Sequence, residues 1–406
     1  MSAKCLVCDA DIESFMSFGR MPVANGFVVP EQFESEYFFE LKTGLCDVCG
    51  MVQLTERVDP DRLFHEEYAY FSSISTRMAI HFEQMAADIM ARRLPEPDPF
   101  VVELGSNDGI LLKHFAQAGL RHLGVEPSAN VAQVAIDAGI NTRCAFFNEE
   151  VAQEIVDEHG QADVLMATNV MCHIPDLPGV MRALQILLKP GGVLIFEDPY
   201  LGDIVRKTSY DQIYDEHYFY FSLSSVQRWA QPFGFELIEA AGQNVHGGSM
   251  RYTVGAQGKH AVADSVTNIL AAEEQQGLTE QATFAEFRRN VERSRDNLME
   301  VLTRLAKQDV RVVGYGATSK STTVTNYCGI TPEMVEFVSD TTPSKQGKFT
   351  PGVHLPVHPY EKFSEHYPEY ALLFAWNHGE EIMAKETAFR NEGGKWIVYV
   401  PEVEVL

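Results

Sequence analysis

The sequence predicts an α/β protein in which two parallel sheets follow a small cysteine-rich segment. In the middle of the chain, apolar strand candidates alternate with helix-favouring stretches: PFVVELGSNDG, LGVEP, ADVLMATNV, GGVLIFEDP, FELIEAA and MRYTVGA. Beyond residue 308 the alternation returns in VRVVGYGA, MVEFVSD, YALLFAW and KWIVYV. Strands that alternate with helices favour parallel sheets, so two such series predict two sheets.

Three domains are expected, because a chain of 406 residues exceeds what one hydrophobic core supports. We place them at residues 1–80, 81–257 and 258–406. The segment 258–308 is charged and has apolar residues at spacings of three and four, which predicts one or two amphipathic helices that bridge domains.

The formal net charge of −25 argues against a general nucleic-acid or membrane binder, because such a surface repels phosphate backbones and anionic lipid. No apolar run approaches the roughly 20 residues that span a bilayer, and the N-terminus lacks the pattern of a signal peptide. We therefore expect a cytoplasmic protein whose anionic ligands need local basic sites.

Two CxxC pairs predict a structural metal site. Cys5 and Cys8 form the first pair, and Cys46 and Cys49 form the second. Four thiolates close a tetrahedron around Zn²⁺ and leave no position for a substrate. Unmetallated core thiols or a redox pair remain alternatives, since the gap between the pairs is longer than in a short zinc ribbon.

The turn in VVELGSNDG predicts a cofactor site. Glu103 ends a strand, Gly105 and Gly109 flank Asn107 in the turn, and Glu126 would follow the next strand, where it can accept both ribose hydroxyls. This pattern suits S-adenosylmethionine better than NAD, because the dinucleotide fingerprint GxGxxG is missing. A plain tight turn is the alternative.

A second stretch strengthens the cofactor prediction. In ATNVMCHIPDLPGVMRALQILLKPGGVLIFEDP, a strand ends at Asn169, and KPGG after the helix precedes another strand, as between the fourth and fifth strands of class I methyltransferases. His173 lies just beyond the first of these strands, where ligands collect. A capping or surface role is equally compatible with its position.

The loop YDQIYDEHYFYFS predicts acid–base chemistry. It places Tyr214, Asp215, Glu216 and His217 in a row at the same sheet edge, and imidazole titrates near neutral pH. Carbon methylation needs a base beside a carbon acid, which would give these residues a task; core packing is the alternative. His246 in NVHGGSMRY is a further candidate, although HGG also forms plain turns.

A local anion site is predicted in the last domain. VVGYGATSKSTT follows a strand, and Lys320 opens a helix together with hydroxyl residues. Lys345 lies in DTTPSKQGKFTPG, which we interpret as a loop that closes on this domain.

Taken in order, CLVC, CDVC, MPVANGF, ELGSNDGILL, GVEPS, NVMCHIPD, YDQIYDEHYFYFSL, HGGSMR, YGATSKSTT and KQGKFTPGVHLPV resemble the zinc-containing sugar C-methyltransferases. That family acts on nucleotide-linked 4-keto-deoxysugars. The resemblance implies an N-terminal zinc-binding domain, a class I S-adenosylmethionine methyltransferase domain with a Rossmann-like sheet, and a C-terminal Rossmann-like α/β domain that holds the nucleotide.

The resemblance also implies roles for individual residues. Tyr214 and His217 fall on the catalytic positions, with Glu216 bonding the sugar or the histidine; Asp215 departs from the family pattern, which has His there. Lys320 falls on the diphosphate contact. In the family the segment of Tyr68, Tyr70 and Ser72 approaches the sugar pocket, so these residues are candidate substrate contacts, with interdomain packing as the alternative. His173 and His246, which follow strands, are further candidate substrate contacts.

We therefore expect an S-adenosylmethionine-dependent C-methyltransferase of a nucleotide-linked, first of all dTDP-linked, 4-keto-deoxysugar, present as a monomer or weak dimer. An O- or N-methyltransferase of another small metabolite is the alternative. A zinc-ribbon protein that grips RNA is disfavoured by the missing basic patch.

Overall fold

The computed structural model describes residues 3–59, 63, 76–94 and 96–406. Three sheets organise these residues. The first sheet begins with strands β1 (Ala3–Lys4), β2 (Asp11–Pro22), β3 (Phe38–Leu45) and β4 (Val52–Leu54). All neighbours in it are antiparallel, and the strand Phe219–Tyr220 from much later in the chain pairs with β4. Tyr68, Tyr70 and Ser72 lie outside the described residues.

The second, central sheet has the strand order β11-β12-β9-β8-β5-β6-β7. Its strands are β5 (Phe100–Leu104), β6 (Arg121–Val125), β7 (Thr142–Arg143), β8 (Ala162–Thr168), β9 (Leu188–Pro199), β11 (Phe235–Gln243) and β12 (Ser249–Ala256); β10 is Phe219–Tyr220 of the first sheet. The helices of this part are α1 (Thr76–Arg93), α2 (Leu112–Gln117), α3 (Ala129–Asp137), α4 (Glu149–His159), α5 (Leu177–Leu187), α6 (Leu201–Lys207) and α7 (Leu223–Ala230).

Five strands of the central sheet, β5 to β9, run parallel. β12 pairs antiparallel with both β9 and β11, so β11 runs in the same direction as β5 to β9. Residues 100–104 are buried throughout, as expected for a strand covered on both faces, and this burial includes the carboxylate of Glu103. Asp176 caps α5 by accepting a hydrogen bond of 2.8 Å from the Gly179 amide. Because β5 to β9 are parallel, the turns that follow them lie at the same edge of the sheet.

The third sheet has the order β15-β14-β13-β16-β17-β18 and is parallel except for β18. Its strands are β13 (Val312–Tyr315), β14 (Val338–Ser339), β15 (Val357–His358), β16 (Tyr370–Leu373), β17 (Lys395–Val398) and β18 (Glu404–Val405). Its helices are α10 (Ser319–Cys328), α11 (Tyr360–Glu365), α12 (Gly379–Lys385) and α13 (Thr387–Asn391). The predicted α/β class is confirmed.

Two helices precede the third sheet, as the apolar spacing predicts. They are α8 (Asp264–Gln276) and α9 (Gln281–Lys307). The ring centroid of Phe284 in α9 lies 4.7 Å from that of Phe15 in the first sheet, so the longer helix packs against that sheet. The domain boundaries after residues 80 and 257 stay predictions.

One buried apolar cluster contains residues of all three sheets, among them Leu45, Phe196 and Leu372. The sheets therefore share a core. Among the described residues, no helix combines the length and the apolar character needed to cross a membrane.

Candidate active site

The four cysteines of the CxxC pairs come together in the first sheet. Their sulfur atoms all lie within 4.8 Å of one another, with 3.5 Å between Cys5 and Cys49 and 3.5 Å between Cys8 and Cys46. A hydrogen bond from Cys49, helped by donors such as the Gln53 amide, lowers the pKa of Cys5 to about 5. This set of soft donors fits a closed tetrahedral zinc site.

A cavity of about 730 Å³ opens at the carboxyl edge of the central sheet and reaches helix α10. It brings together most of the residues that the sequence predicts for the site. The predicted residues that line it are Glu103, Gly105, Asn107, Glu126, Asn169, His173, Tyr214, Glu216, His217, His246 and Lys320.

One end of the cavity is formed by the turns after β5 and β6. The Glu126 carboxylate accepts hydrogen bonds from the amides of Asn107, at 3.0 Å, and Ser128, at 2.8 Å, which fix its direction. Gly105 has a φ of +58°, and a Cβ there would lie 2.3 Å from the Val170 side chain. Only glycine fits that position.

Glu103 is the unusual group at this end. Its carboxyl is buried, and the Oε2 atom has no hydrogen-bond partner among the described residues. Burial, followed by the charges of Glu126 and Asp108, raises its pKa well above the usual range. A ligand that brings its own N–H or O–H donors would satisfy it.

Two predicted cofactor residues, Asn169 and Gly109, have contacts that stabilise the local fold. Asn169 has a φ of +56°, and its amide donates to the Glu197 carbonyl at 2.6 Å, which fixes the turn after β8. Gly109 is not among the lining residues; its φ is +79° and a Cβ there would lie 3.0 Å from Ile140. The structure thus gives Gly109 a packing contact.

Tyr214 and His217 form a hydrogen-bonded pair in the middle of the cavity. The Tyr214 hydroxyl lies 2.8 Å from Nε2 of His217, and Nδ1 of His217 lies 2.9 Å from the Gln212 carbonyl oxygen. A carbonyl oxygen only accepts, so Nδ1 bears the hydrogen and Nε2 keeps its lone pair. The pair is arranged as a base with an attached hydroxyl.

Burial, together with the neighbouring His173, lowers the pKa of His217 well below the usual range. The ring centroids of the two histidines lie 5.1 Å apart, and burial lowers the pKa of His173 to about 4. Both imidazoles are therefore neutral at physiological pH.

Glu216 faces the cavity, whereas Asp215 faces away from it. Glu216 Oε1 accepts a hydrogen bond of 2.6 Å from the Asn25 side chain, and burial followed by the Asp215 charge raises the pKa of Glu216 to about 8. Asp215 accepts from the Ala24 amide at 2.9 Å and is absent from the cavity lining. Its role is to hold the loop that carries Asn25.

The other end of the cavity is cationic. Lys320 Nζ donates to the His246 carbonyl at 3.3 Å and lies 5.3 Å from the centroid of the Trp376 ring. Burial lowers its pKa to about 8, with Asp211 opposing the shift. Lys345 also lines the cavity and donates to the Ala317 carbonyl at 2.8 Å. A buried lysine and a half-buried lysine beside the start of α10 suit an anionic group.

Comparison with known proteins agrees with this geometry. Three family profiles match in order: a zinc binding domain at residues 5–64, a methyltransferase domain at 78–240 and a C-methyltransferase C-terminal domain at 244–401. The C-methyltransferase NovU of Streptomyces niveus is 35% identical over 99% of this chain and 96% of its own length. The chain belongs to the zinc-containing, S-adenosylmethionine-dependent C-methyltransferases.

Two further similarities each cover less than half of this C-methyltransferase. A ubiquinone biosynthesis O-methyltransferase of Ralstonia nicotianae is 35% identical over 24% of this chain and 41% of its own length. The magnesium protoporphyrin IX methyltransferase of Synechocystis PCC 6803, solved with bound SAH, is 16% identical over 44% of this chain and 83% of its own, with a TM-score of 0.35.

The C-methyltransferase takes S-adenosylmethionine and a structural Zn²⁺. The Glu103 end of the cavity fits the cofactor. The unsatisfied Glu103 carboxyl and the oriented Glu126 carboxylate can accept hydrogen bonds from the amino and hydroxyl groups of S-adenosylmethionine. The four cysteines fit the metal. Its methyl acceptor is a small molecule; the cytoplasmic location, the oligomeric state and the lack of nucleic-acid binding stay predictions.

Sequence reasoning missed two cavity residues of this C-methyltransferase. Asn25 contacts Glu216 and also accepts a hydrogen bond of 3.0 Å from the Ser319 hydroxyl. Gln212 supplies the carbonyl that orients His217. Asn25 lies in MPVANGF and Gln212 in YDQIYDEHYFYFS, two strings that belong to the family resemblance, but spacing along the chain does not reveal either contact.

Proposed function

We propose that this C-methyltransferase methylates a ring carbon beside the ketone of a nucleotide-linked 4-keto-deoxysugar. The observation that supports this most directly is the Tyr214–His217 pair, whose unprotonated Nε2 belongs to the same cavity that Glu103 and Lys320 line. An electrophilic methyl needs no base when it is transferred to an amine. Transfer to carbon requires the removal of a proton, which gives this pair its task.

The proposed mechanism uses the side chains as they lie. Bound S-adenosylmethionine supplies the electrophilic methyl group. His217 Nε2 receives the proton from the carbon next to the ketone, either directly or through the Tyr214 hydroxyl, while Gln212 accepts from the Nδ1–H and keeps the ring oriented. The buried, neutral imidazole is ready to accept a proton at physiological pH.

Glu216 is the proposed donor to the developing enolate oxygen. Its pKa, raised to about 8, leaves the carboxyl protonated at neutral pH, so it has an O–H to donate. The Asn25 amide occupies Oε1 and fixes the direction of the carboxyl. A donor placed before the reaction stabilises developing negative charge without reorganisation.

The lysine end is the proposed diphosphate subsite. The hydroxyl and amide groups of Thr318 and Ser319, with Lys320 and Lys345, form the cationic wall of the cavity in a protein of formal net charge −25. A nucleotide placed there would put its sugar beside His217. His246, which also lines the cavity, and the candidate contacts Tyr68, Tyr70 and Ser72 complete the proposed sugar site.

The test is a transfer assay with S-adenosylmethionine and a panel of nucleotide-linked 4-keto-6-deoxysugars. We expect one member to gain a methyl that remains on a ring carbon by NMR after hydrolysis. His217→Ala should abolish the transfer and keep S-adenosylmethionine binding, whereas His122→Ala, outside the cavity lining, should retain activity. Methylation at oxygen or nitrogen, or full activity in His217→Ala, would contradict the proposal.

A further inference from the structure

A second group of metal-ligating side chains includes two cavity-lining histidines and a cysteine that is buried next to them. Cys172 Sγ and ring nitrogens of His173 and His217 all lie within 4.8 Å of one another. Among the described residues, this group and the four-cysteine cluster are the two sets of at least three His, Cys, Asp or Glu that meet this distance. The chemistry of two imidazoles and one thiol suits a soft divalent cation.

The spacing is close to that of a metal site. Zinc bonds of about 2.3 Å to sulfur and about 2.0 Å to nitrogen place ligand atoms about 3.5 Å apart in a tetrahedron. The three donors lie within 4.8 Å of one another, so each pair needs to close by at most about 1.5 Å when a metal binds. His173 and His217 line the cavity, so a cation reaches them from its interior.

The orientation of His217 also suits a metal ligand. Its Nδ1–H donates to the Gln212 carbonyl, and its Nε2 lone pair accepts from the Tyr214 hydroxyl, which a bound metal would displace. Histidines that bind metals usually donate their other ring N–H to a carbonyl or a carboxylate, because that bond fixes the tautomer. The hydrogen bond from His217 Nδ1 to the Gln212 carbonyl is a contact of this kind.

Asp198 lies next to this group. It is fully buried, and its carboxyl group lies directly beside the Cys172 thiol. A buried carboxyl next to a buried thiol suits a cationic occupant, since a nearby positive charge offsets the cost of burying both groups in ionised form.

We propose that Cys172, His173 and His217 form a second cation site, which takes Zn²⁺ or Cd²⁺ reversibly and inhibits the enzyme. On binding, a metal–sulfur bond replaces the S–H bond of Cys172, and the proton leaves to water. The metal also takes the lone pair of Nε2, so His217 no longer accepts a proton. The fourth position of the metal faces the cavity and holds water.

The decisive experiment counts zinc and does not depend on the methyl acceptor. Enzyme with its four-cysteine site loaded is titrated with ZnCl₂ in competition with a chromophoric chelator, and native mass spectrometry reports zinc per chain. We expect a second zinc in the wild type. Cys172→Ser should lose the second zinc and keep the first, and Cys144→Ser, at an exposed cysteine, should keep both.

Activity provides the second measurement once an acceptor is identified. Because Cys172 has no role in the proposed transfer, Cys172→Ser should keep basal activity and need at least about tenfold more zinc for half inhibition. A wild type with a single zinc, or a Cys172→Ser protein that binds the second zinc unchanged, would overturn the site. If the serine variant does not fold, Cys172→Ala replaces it, and the wild-type count remains decisive.

Discussion

The hydroxyl of Tyr214 is the group closest to the proposed base, at 2.8 Å from Nε2 of His217. Tyr214→Phe removes that hydroxyl and keeps the ring. We expect kcat to fall by about 100-fold or more, because a positioned proton-transfer group contributes about that factor. Calorimetry should show S-adenosylmethionine binding within about twofold of wild type. An unchanged kcat would remove Tyr214 from the proton path.

Lys320 leads to a prediction about pH. Its pKa of about 8 means that the ammonium charge is lost as the pH rises through that value. Affinity for dTDP should therefore be constant below about pH 7 and fall by up to about tenfold per unit above pH 8. Calorimetry between about pH 6.5 and pH 9.5 measures this. Lys320→Met should bind dTDP weakly at every pH, with the slope above pH 8 removed.

At the scale of single residues, the sequence predicts contacts that depend on proximity along the chain. Tyr214 and His217 occupy one loop, and Glu103 and Glu126 follow adjacent parallel strands, so their meeting follows from the fold class. The Asn25–Glu216 contact joins residues 191 positions apart, and no periodicity or spacing in the sequence encodes it. The direction of Asp215, away from the cavity, is also decided by a distant backbone amide.

At the scale of elements, the loop 210–217, which carries the proposed base, is held through Asp211 by segments that follow strands β16 and β17. The buried Asp211 carboxylate accepts hydrogen bonds from Trp376 Nε1, at 2.6 Å, and the Tyr399 hydroxyl, at 2.9 Å. Gln212, which follows Asp211 directly, orients His217. The C-terminal part of the chain therefore helps to position the proposed base.

Tyr399→Phe tests this attachment. Removing one donor from a buried carboxylate should lower the free energy of unfolding by about 1–3 kcal/mol and lower kcat, because the Gln212 carbonyl loses part of its support. Urea unfolding and steady-state kinetics measure the two effects. Tyr370→Phe, in β16 and without contact to Asp211, is the control. A stability loss with normal kcat would limit Tyr399 to a structural role.

Strand β10 shows why the sequence alone did not predict every strand pairing. The sequence predicts the stretch after His217 as an aromatic loop, yet Phe219 and Tyr220 pair with Gln53 and Val52 of β4. Two residues are too few to show an alternating pattern, and the pairing depends on the first sheet already being in place. Longer parallel strands such as β5, β8 and β16 are buried and apolar, so their sequences predict them, whereas β7 and β15 have two residues each and show no such pattern.

At the scale of the whole molecule, the zinc cluster and the active site are mechanically connected. The four cysteines lie together in the first sheet, whose strand β4 pairs with β10. Strand β10 comes just after the loop 210–217, which carries the proposed base. Chelation of the structural zinc should therefore lower the melting temperature and abolish activity together. Restored zinc should recover both, and an enzyme that stays folded and active without zinc would contradict the structural assignment.

With two sites of opposite effect, activity should pass through a maximum as free zinc rises. The first zinc completes the fold, and the second occupies the proposed Cys172 site and blocks His217. In Cys172→Ser the rising part should remain and the falling part should move to higher zinc. Activity measured in zinc buffers, with melting temperature followed in parallel, separates unfolding at low zinc from inhibition at high zinc.

The contacts of Ala24 and Asn25 with Asp215 and Glu216 also limit how this enzyme can be recombined with its relatives. In a chimaera with the N-terminal segment of a relative, the loop that contacts Asp215 and Glu216 has a different sequence. The hydrogen bonds from Ala24 and Asn25 to these carboxylates are then lost or changed. Residues 24, 25, 215 and 216 therefore need to be exchanged together, although the contacting residues are 191 positions apart in the sequence. Crossovers that move all four together are the ones expected to yield working enzymes.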